Sequence, residues 1–284
     1  MKFDITHPNV RRAVEFALEE DIRTEDITTE ATIPADLQAE ARFVARQELT
    51  LAGVELLGLL FEKPVLKHAS GDRLKSGDEI ATVRGPARIL LTRERVALNF
   101  LQRLSGVATL AAKYVTAVEG TGAKILDTRK TTPGLRVLEK MAAAAGGIVN
   151  HRMGLWDAVL IKNNHIGLAA GGPNKAGGVR IACERAIERA KPMGITVQVE
   201  VRTRGEIEEA LGCGAKLLLL DNMTPAEAAE EIRFIAKRAK VEISGGVTLE
   251  TVRAYAEAGP DYISCGAITH SATAVDINCG IYAI

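Results

Sequence analysis

Between residues 128 and 165 the chain carries Arg129, Lys130, Arg136, Lys140, Arg152 and Lys162 against only Glu139 and Asp157. This local excess of four positive charges stands in a chain whose 36 basic and 36 acidic side chains cancel. A guanidinium fork matches a carboxylate, and an ammonium makes a point contact with carboxylate or phosphate. The cluster therefore points to a small ligand with several carboxylates or phosphates, while the neutral total argues against a field that recruits nucleic acid or an anionic membrane. His151 and His165 lie in the same region, in NHRMGLWDAVLIKNNH. No HxxxH or compact His/Asp pattern accompanies them, which disfavours metal ligation and leaves substrate contact or hydrogen-bonded structure open, His151 being the stronger candidate for contact. Ser244-Gly245-Gly246 leads to Thr248, a good N-cap, and the helical LETVRAYAEA, so backbone N–H groups and a positive helix end could face an anion. Cys265-Gly266-Ala267, followed by Thr269-His270-Ser271, is a second glycine turn. Tight turns needing glycine for backbone reasons alone are the competing reading.

These residues need a frame that brings them together. Short apolar runs recur at 123–127, 157–162, 195–201, 216–221, 240–244 and 261–265, separated mostly by Ala/Glu/Arg-rich helical stretches such as 225–239. Strands alternating with helices predict a parallel sheet with right-handed crossovers, best fitted by a closed or nearly closed α/β barrel. The C-terminal ends of the runs carry Asp127 with Arg129-Lys130, then Lys162, Glu200, Asp221, Ser244-Gly245-Gly246 and Cys265-Gly266. In such a barrel those ends converge on one face, and glycine turns on the last strands are where many barrels hold a phosphate. The segment 167–178, GLAAGGPNKAGG, is either a mobile lid or a plain surface connection.

The first 120 residues have another rhythm. Val10, Val14, Ala17 and Leu18 recur at helical spacing after Pro8, whereas Ala39, Ala41, Phe43 and Ala45 alternate as in a half-buried strand. Turn signals at Gly71-Asp72 and Ser76-Gly77-Asp78 follow, and a long helical pattern through Leu98, Leu101, Leu104, Ala108, Ala111 and Val115 joins the halves. We expect an N-terminal domain over 1–115, completed by 271–284, and a barrel over 116–270. A length of 284 residues with 47% hydrophobic content suffices for such cores. Cys183, Cys213, Cys265 and Cys279 form no CxxC pair, which suits a reduced, cytoplasmic protein. The start MKFDITHPNV lacks an apolar leader, and no run of about 18 apolar residues could span a bilayer. The expectation is a soluble, unexported protein.

LDTRKTTPGLRVLEKMAAAAGGIVNHRMGLWDAVLIKNNHI resembles the signature region of the quinolinate phosphoribosyltransferases, also called carboxylating nicotinate-nucleotide diphosphorylases. The likeness extends through EDITTEATI, RERVALNFLQRLSGVAT, VEV, LLLDNMTP, ISGGVT and ISCGAITHSA, nearly the whole chain. It implies an incomplete TIM-like barrel of about seven strands with an N-terminal α+β sandwich domain. It also implies a reaction: quinolinate and phosphoribosyl diphosphate, with Mg²⁺, give nicotinate mononucleotide, diphosphate and CO₂ on the way to NAD. By the same resemblance Arg129, His151, Arg152 and Lys162 line the quinolinate pocket, and Arg95 enters from the partner of a homodimer, although an arginine on an amphipathic helix also suits plain solvent exposure. Lys130, Glu200 and Asp221 then surround ribose, diphosphate and metal. Ser244, Gly245, Gly246, Cys265, Gly266 and Ala267 take the 5-phosphate, and Thr128 and His270 also touch substrate. The chain departs from the pattern at Asn163, where many relatives have Asp, and at Gln198 and Arg202, where acids are usual. Rival readings are a molybdenum-transport-associated homologue, a Schiff-base lyase using Lys162, and a non-catalytic anion binder. Glu200 and Asp221 weigh against the last, because they repel an anion unless a metal or cationic transition state is present.

Overall fold

The computed structural model describes residues 2–172 and 177–284. The chain opens with α1 (Pro8–Ile22) and α2 (Ile27–Thr32). Pro8 sits where a missing N–H costs nothing, the His7 ring accepts the Asn9 N–H, and Asp26 caps α2 at Thr29. Next come β1 (Gln38–Ala45), β2 (Leu49–Thr50), α3 (Leu57–Leu60), β3 (Val65–Leu66), β4 (Arg73–Leu74), β5 (Glu79–Pro86) and α4 (Ala87–Ala117). The barrel part follows with β6 (Lys124–Leu126), α5 (Arg136–Ala145), β7 (Val159–Ile161), α6 (Asn163–Ala169), α7 (Gly178–Ala190), β8 (Val197–Val201), α8 (Arg204–Gly212), β9 (Leu217–Asp221), α9 (Pro225–Ile235), β10 (Lys240–Ser244), α10 (Val252–Glu257) and β11 (Tyr262–Ser264). Last are α11 (Ala267–His270) and β12 (Ile277–Ala283).

Contacts divide the chain into two units: 1–113 with 130–148 and 267–284, and 114–129 with 149–266. The sequence expectation cut the chain at 115/116 and 270/271; the contacts group 130–148, with α5, in the first unit. In that unit β12-β1-β5-β3 form an antiparallel sheet, with Phe43 opposite Cys279 on one side and Ala81 on the other. Ala39, Ala41, Phe43 and Ala45 are buried as their alternation implied. Glu40 is buried too, between Arg42 (2.6 Å) and Arg84 (2.5 Å), which hold its carboxyl below the usual range. A second ion pair ties the distant segments together. Glu139 on α5, fully buried, accepts from Arg103 on α4 and from Thr132, while Arg103 also donates to Ala272 and Thr269 carbonyls. Gly106 of α4 leaves room for the chain at Thr273, whose carbonyl oxygen would lie 2.2 Å from an added Cβ.

In the second unit all six strands run parallel in the order β6-β11-β10-β9-β8-β7. Chain neighbours therefore pair throughout, β11 returns to β6, and only the seam between β6 and β7 lacks a ladder. At that seam one parallel bridge, Leu126 to Val149, stands alone. The sheet thus has six strands, and the bridge at Val149 marks a further position of the incomplete barrel, beside which Asn150 and the His151 N–H donate to Asp127. All six apolar runs became strands, and the core is made by Val199, Leu218, Leu220, Ile243 and Ile263, all fully buried.

Candidate functional site

The second unit places the polar strand ends on one face, as a parallel barrel requires. Lys162 follows β7, Glu200 lies on β8, Asp221 ends β9, and Ser244 ends β10 directly opposite Asp221. Burial pushes the Glu200 carboxyl up; the Asn163 N–H at 3.3 Å opposes the shift, Asp221 reinforces it and Lys162 opposes it. Asn222, in a left-handed conformation, donates its side-chain amide to Asp221 at 2.8 Å. Gly245 and Gly246 both have positive φ, and a Cβ on Gly245 would meet the Asn222 side chain at 2.1 Å. Glycine is therefore required here for backbone reasons, and a tight concave turn faces the same end as Asp221. The regular helix after it, α10, begins at Val252, but the turn into it starts at Thr248: its carbonyl accepts the Thr251 and Val252 N–H groups, and its own N–H is held by the Thr251 hydroxyl at 3.0 Å, as at a capped helix start.

The opening stretch of cations is organised by two carboxylates. Fully buried Asp127 accepts from the Asn150 side chain (2.7 Å) and the His151 N–H (2.8 Å). Asp157 accepts the N–H groups of Met153 and Gly154 and closes the loop before β7. Between these anchors Arg152 is half-buried and donates to the Ala158 carbonyl at 2.9 Å. Burial, and then the neighbouring Arg129, hold its guanidinium below the usual value. Arg129 and Thr128 follow Asp127 on the same unit. His165 caps α6, accepting the Lys162 N–H at 2.9 Å, so its role is structural. Lys162 itself is exposed, without the burial on which a Schiff-base lysine depends.

The remaining candidates have other addresses. Cys265 is buried and its thiol is pushed up to about 12 by that burial, so it offers no thiolate; Gly266 follows it as the last residue of the barrel unit. Lys130, Ala267 and His270 belong to the N-terminal unit, where the Thr269 hydroxyl donates to the Lys130 carbonyl at 2.7 Å and Ser271 meets the His270 ring at 2.6 Å. Arg136 and Lys140, counted with the basic cluster, are in that unit too, and Lys140 is fully buried. Arg95 is exposed on α4. The suspected lid 167–178 begins inside α6 and ends in α7, and residues 173–176 lie outside the described residues.

Among the described residues no group of three or more His, Cys, Asp or Glu is placed to hold a metal ion. Glu200 and Asp221, neighbouring acids on adjacent strands, suit a hard cation that takes its other ligands from a substrate. A cavity of about 1290 Å³ opens among the strand starts and reaches Leu126, His151, Arg152, Gln198 and Glu242. It is not where the strand-end acids are. Glu242 has no signal in the sequence, because a single acid inside an apolar run carries no spacing, and Asp127 is legible there only as a strand-end acid and not as the anchor of the loop bearing Arg152.

Two family models match the chain: "Quinolinate phosphoribosyl transferase, N-terminal domain" over residues 26–105 and the corresponding C-terminal domain over 107–279. A probable nicotinate-nucleotide pyrophosphorylase [carboxylating] of Bacillus subtilis is 39% identical, covering 96% of this chain and 94% of the relative. That of Mycobacterium leprae is 40% identical, covering 97% of each. Among solved structures, the NadC protein of Streptococcus pyogenes superposes with a TM-score of 0.91 at 36% identity, covering 100% of this chain and 99% of the other.

Proposed function

This chain belongs to the quinolinate phosphoribosyltransferase family, and from that premise we propose that its chemistry is performed at one site of the barrel unit, where a cationic group of side chains binds quinolinate and the neighbouring acids Glu200 and Asp221 face the ribosyl centre, Lys162 standing close enough to Glu200 to affect its charge. The enzyme transfers phosphoribosyl to quinolinate with decarboxylation and serves NAD synthesis. The observation that carries the site reading is geometric: Arg152 stands half-buried on a loop held by Asp127 and Asp157, and burial first and the neighbouring Arg129 second lower its proton affinity. Two crowded guanidiniums gain most from a dianion, and quinolinate, with adjacent carboxylates, is one. Lys162 and Thr128 complete this group, with His151 beside Arg152.

The acidic pair suits the other half of the reaction. Loss of diphosphate leaves positive charge on the ribosyl centre, and Glu200 and Asp221 are oriented to stabilise it. The same pair would hold Mg²⁺, which supplies charge neutralisation of the diphosphate when bound. Ser244, Gly245, Gly246, Cys265, Gly266, Ala267 and His270 are assigned to the 5-phosphate and Lys130 to the leaving group on the strength of the resemblance. Once the pyridine nitrogen is ribosylated it is cationic and accepts the electron pair released at C2 as CO₂ departs. The protein's part in that step is to grip the other carboxylate, so that no covalent nucleophile is needed. A homodimer in which Arg95 reaches the neighbour's pocket fits its exposure on α4, and exposed Leu155, Trp156 and Leu168 are apolar surface that a partner would cover. Four free cysteines, and no helix among the described residues long and apolar enough to cross a membrane, support a cytoplasmic location.

The test is direct. With quinolinate, phosphoribosyl diphosphate and Mg²⁺ the protein should release CO₂ and form nicotinate mononucleotide, and chelation of Mg²⁺ should abolish both. Nicotinate, lacking one carboxylate, should be a far poorer substrate. Equal turnover of the two acids would refute the dicarboxylate pocket.

A further inference from the structure

Glu242 lies in the middle of β10, 1% exposed, with its side chain on the cavity inside the barrel. A carboxylate so buried is costly unless its surroundings use it. Its Oε2 accepts from Gln198 Nε2 at 2.8 Å and stands 3.5 Å from His151 Nε2; its Oε1 has no hydrogen-bond partner. The other ring nitrogen of His151 is engaged differently. Nδ1 accepts the backbone N–H of Arg152 at 2.6 Å. A backbone amide nitrogen only donates, so Nδ1 carries no proton, and the neutral ring has its proton on Nε2, facing Glu242. Asp127 holds the His151 N–H from the end of β6. Segment 150–152 is thus held by Asp127 through the main chain, with Glu242 3.5 Å from the ring on its other side. Gln198 occupies the place where the resembled sequences usually carry an acid. As a donor it leaves Glu242 Oε2 an acceptor toward His151.

We propose that Glu242 is a positioning residue for quinolinate binding: it holds His151 as the Nε2–H tautomer, and His151 in turn holds the main chain of Arg152. His151 then serves as a neutral strut under the clamping guanidinium and not as a further positive charge. This rests on the reading of Arg152 as a quinolinate ligand. The guanidinium's own bond to the Ala158 carbonyl fixes its far end, so loss of the strut releases the near end only.

The experiment joins ring ¹⁵N spectroscopy to steady-state kinetics on the full-length protein. In the wild type the His151 signals, assigned by their loss in His151→Asn, should show a bare Nδ1 and a protonated Nε2. Glu242→Leu keeps the volume and removes the acceptor. It should blur that tautomer signature and raise the KM for quinolinate by about tenfold, the scale of one lost hydrogen bond to a charged group. Its kcat and KM for phosphoribosyl diphosphate should stay within about twofold. Glu242→Gln retains an acceptor oxygen and should restore the tautomer and most of the affinity. A protonated Nδ1 in the wild type overturns the proposal, and so does an unchanged quinolinate KM in Glu242→Leu. Equal damage in the Gln and Leu variants overturns it as well, since charge rather than acceptor geometry would then matter. Should Glu242→Leu fail to fold, the wild-type spectrum and Glu242→Gln still decide. Arg152→Ala separates the two levels: a raised quinolinate KM there with none in Glu242→Leu defeats this inference alone, whereas no rise in Arg152→Ala removes the site reading and this inference with it.

Discussion

The cationic and the acidic side chains of the barrel unit carry opposite charge and share one defect. Arg152 is half-buried beside another guanidinium, and Glu200 is buried beside another carboxylate. In each case the proton affinity moves in the direction that makes the charged form less comfortable. The difference lies in how each group is built. Arg152 stands on a loop, 149–158, pinned by Asp127 and Asp157, while Glu200 and Asp221 stand on the strands themselves. Loop-borne arginines adjust to a ligand and favour binding; strand-borne acids are held in advance and favour stabilising a charge that exists only in the transition state. The lesson is that binding and chemistry are separable here by mutation.

The largest expected effect tests the chemical side. Lys130→Ala and Glu200→Gln should each lower kcat by about 10² to 10³, the usual scale for one preorganised charge-stabilising group. Normal turnover in either would withdraw that residue from the reaction. Arg152→Ala should instead raise the KM for quinolinate by about 10- to 100-fold, as for the loss of a charge-assisted bond, with a smaller change in kcat. If all three variants lost kcat and affinity alike, the contrast between the binding and the chemical side chains would be wrong.

A smaller effect concerns the partner subunit. Arg95→Ala and Lys130→Ala homodimers should each be nearly inactive, yet mixing and reassembly should recover about a quarter of wild-type activity, because about half the dimers are mixed and each holds one intact site. No recovery after verified subunit exchange would confine Arg95 to its own chain.

The smallest effect is on stability and follows from sign. The folded-state pKa of Glu200 is raised above 4.5, so the stability associated with its protonated form is complete below 4.5 and lost as pH rises through the folded value. Glu200→Gln should therefore melt at a higher temperature than the wild type in mildly alkaline buffer, and the gap should close as pH falls toward 4.5. Differential scanning calorimetry across that range checks it. A gap that widened in acid would reverse the assignment of burial as the cause.

Much of this was legible in the residues. Each of the six apolar runs became a parallel strand, with ends within about two residues, because a run of Val, Leu and Ile bounded by charges has few other ways to bury itself. Strand periodicity also carried Lys162, Glu200, Asp221 and Ser244 to one face without any need of contacts. Thr248 is a good cap by type, and its N–H does meet the hydroxyl of Thr251 three residues on, although the regular helix begins only at Val252. The basic cluster was read as one feature from its chain spacing, yet Lys130, Arg136 and Lys140 belong to one unit and Arg129, Arg152 and Lys162 to the other.

Residue type and period by themselves determined the alternation of strands and helices, the face on which the strand ends meet, and the chemistry of an anionic ligand, since these depend only on which side chains shun water and on the two-residue repeat of a strand. Tertiary structure alone decided that Glu242, Gln198 and His151 meet inside the barrel, and that Asp127 fixes the loop bearing Arg152. Those contacts join residues from 24 to 91 positions apart, as the numbers 127, 151, 198 and 242 show. A hydrogen bond between such residues depends on the register and closure of the sheet, which no local pattern of charge or hydrophobicity encodes.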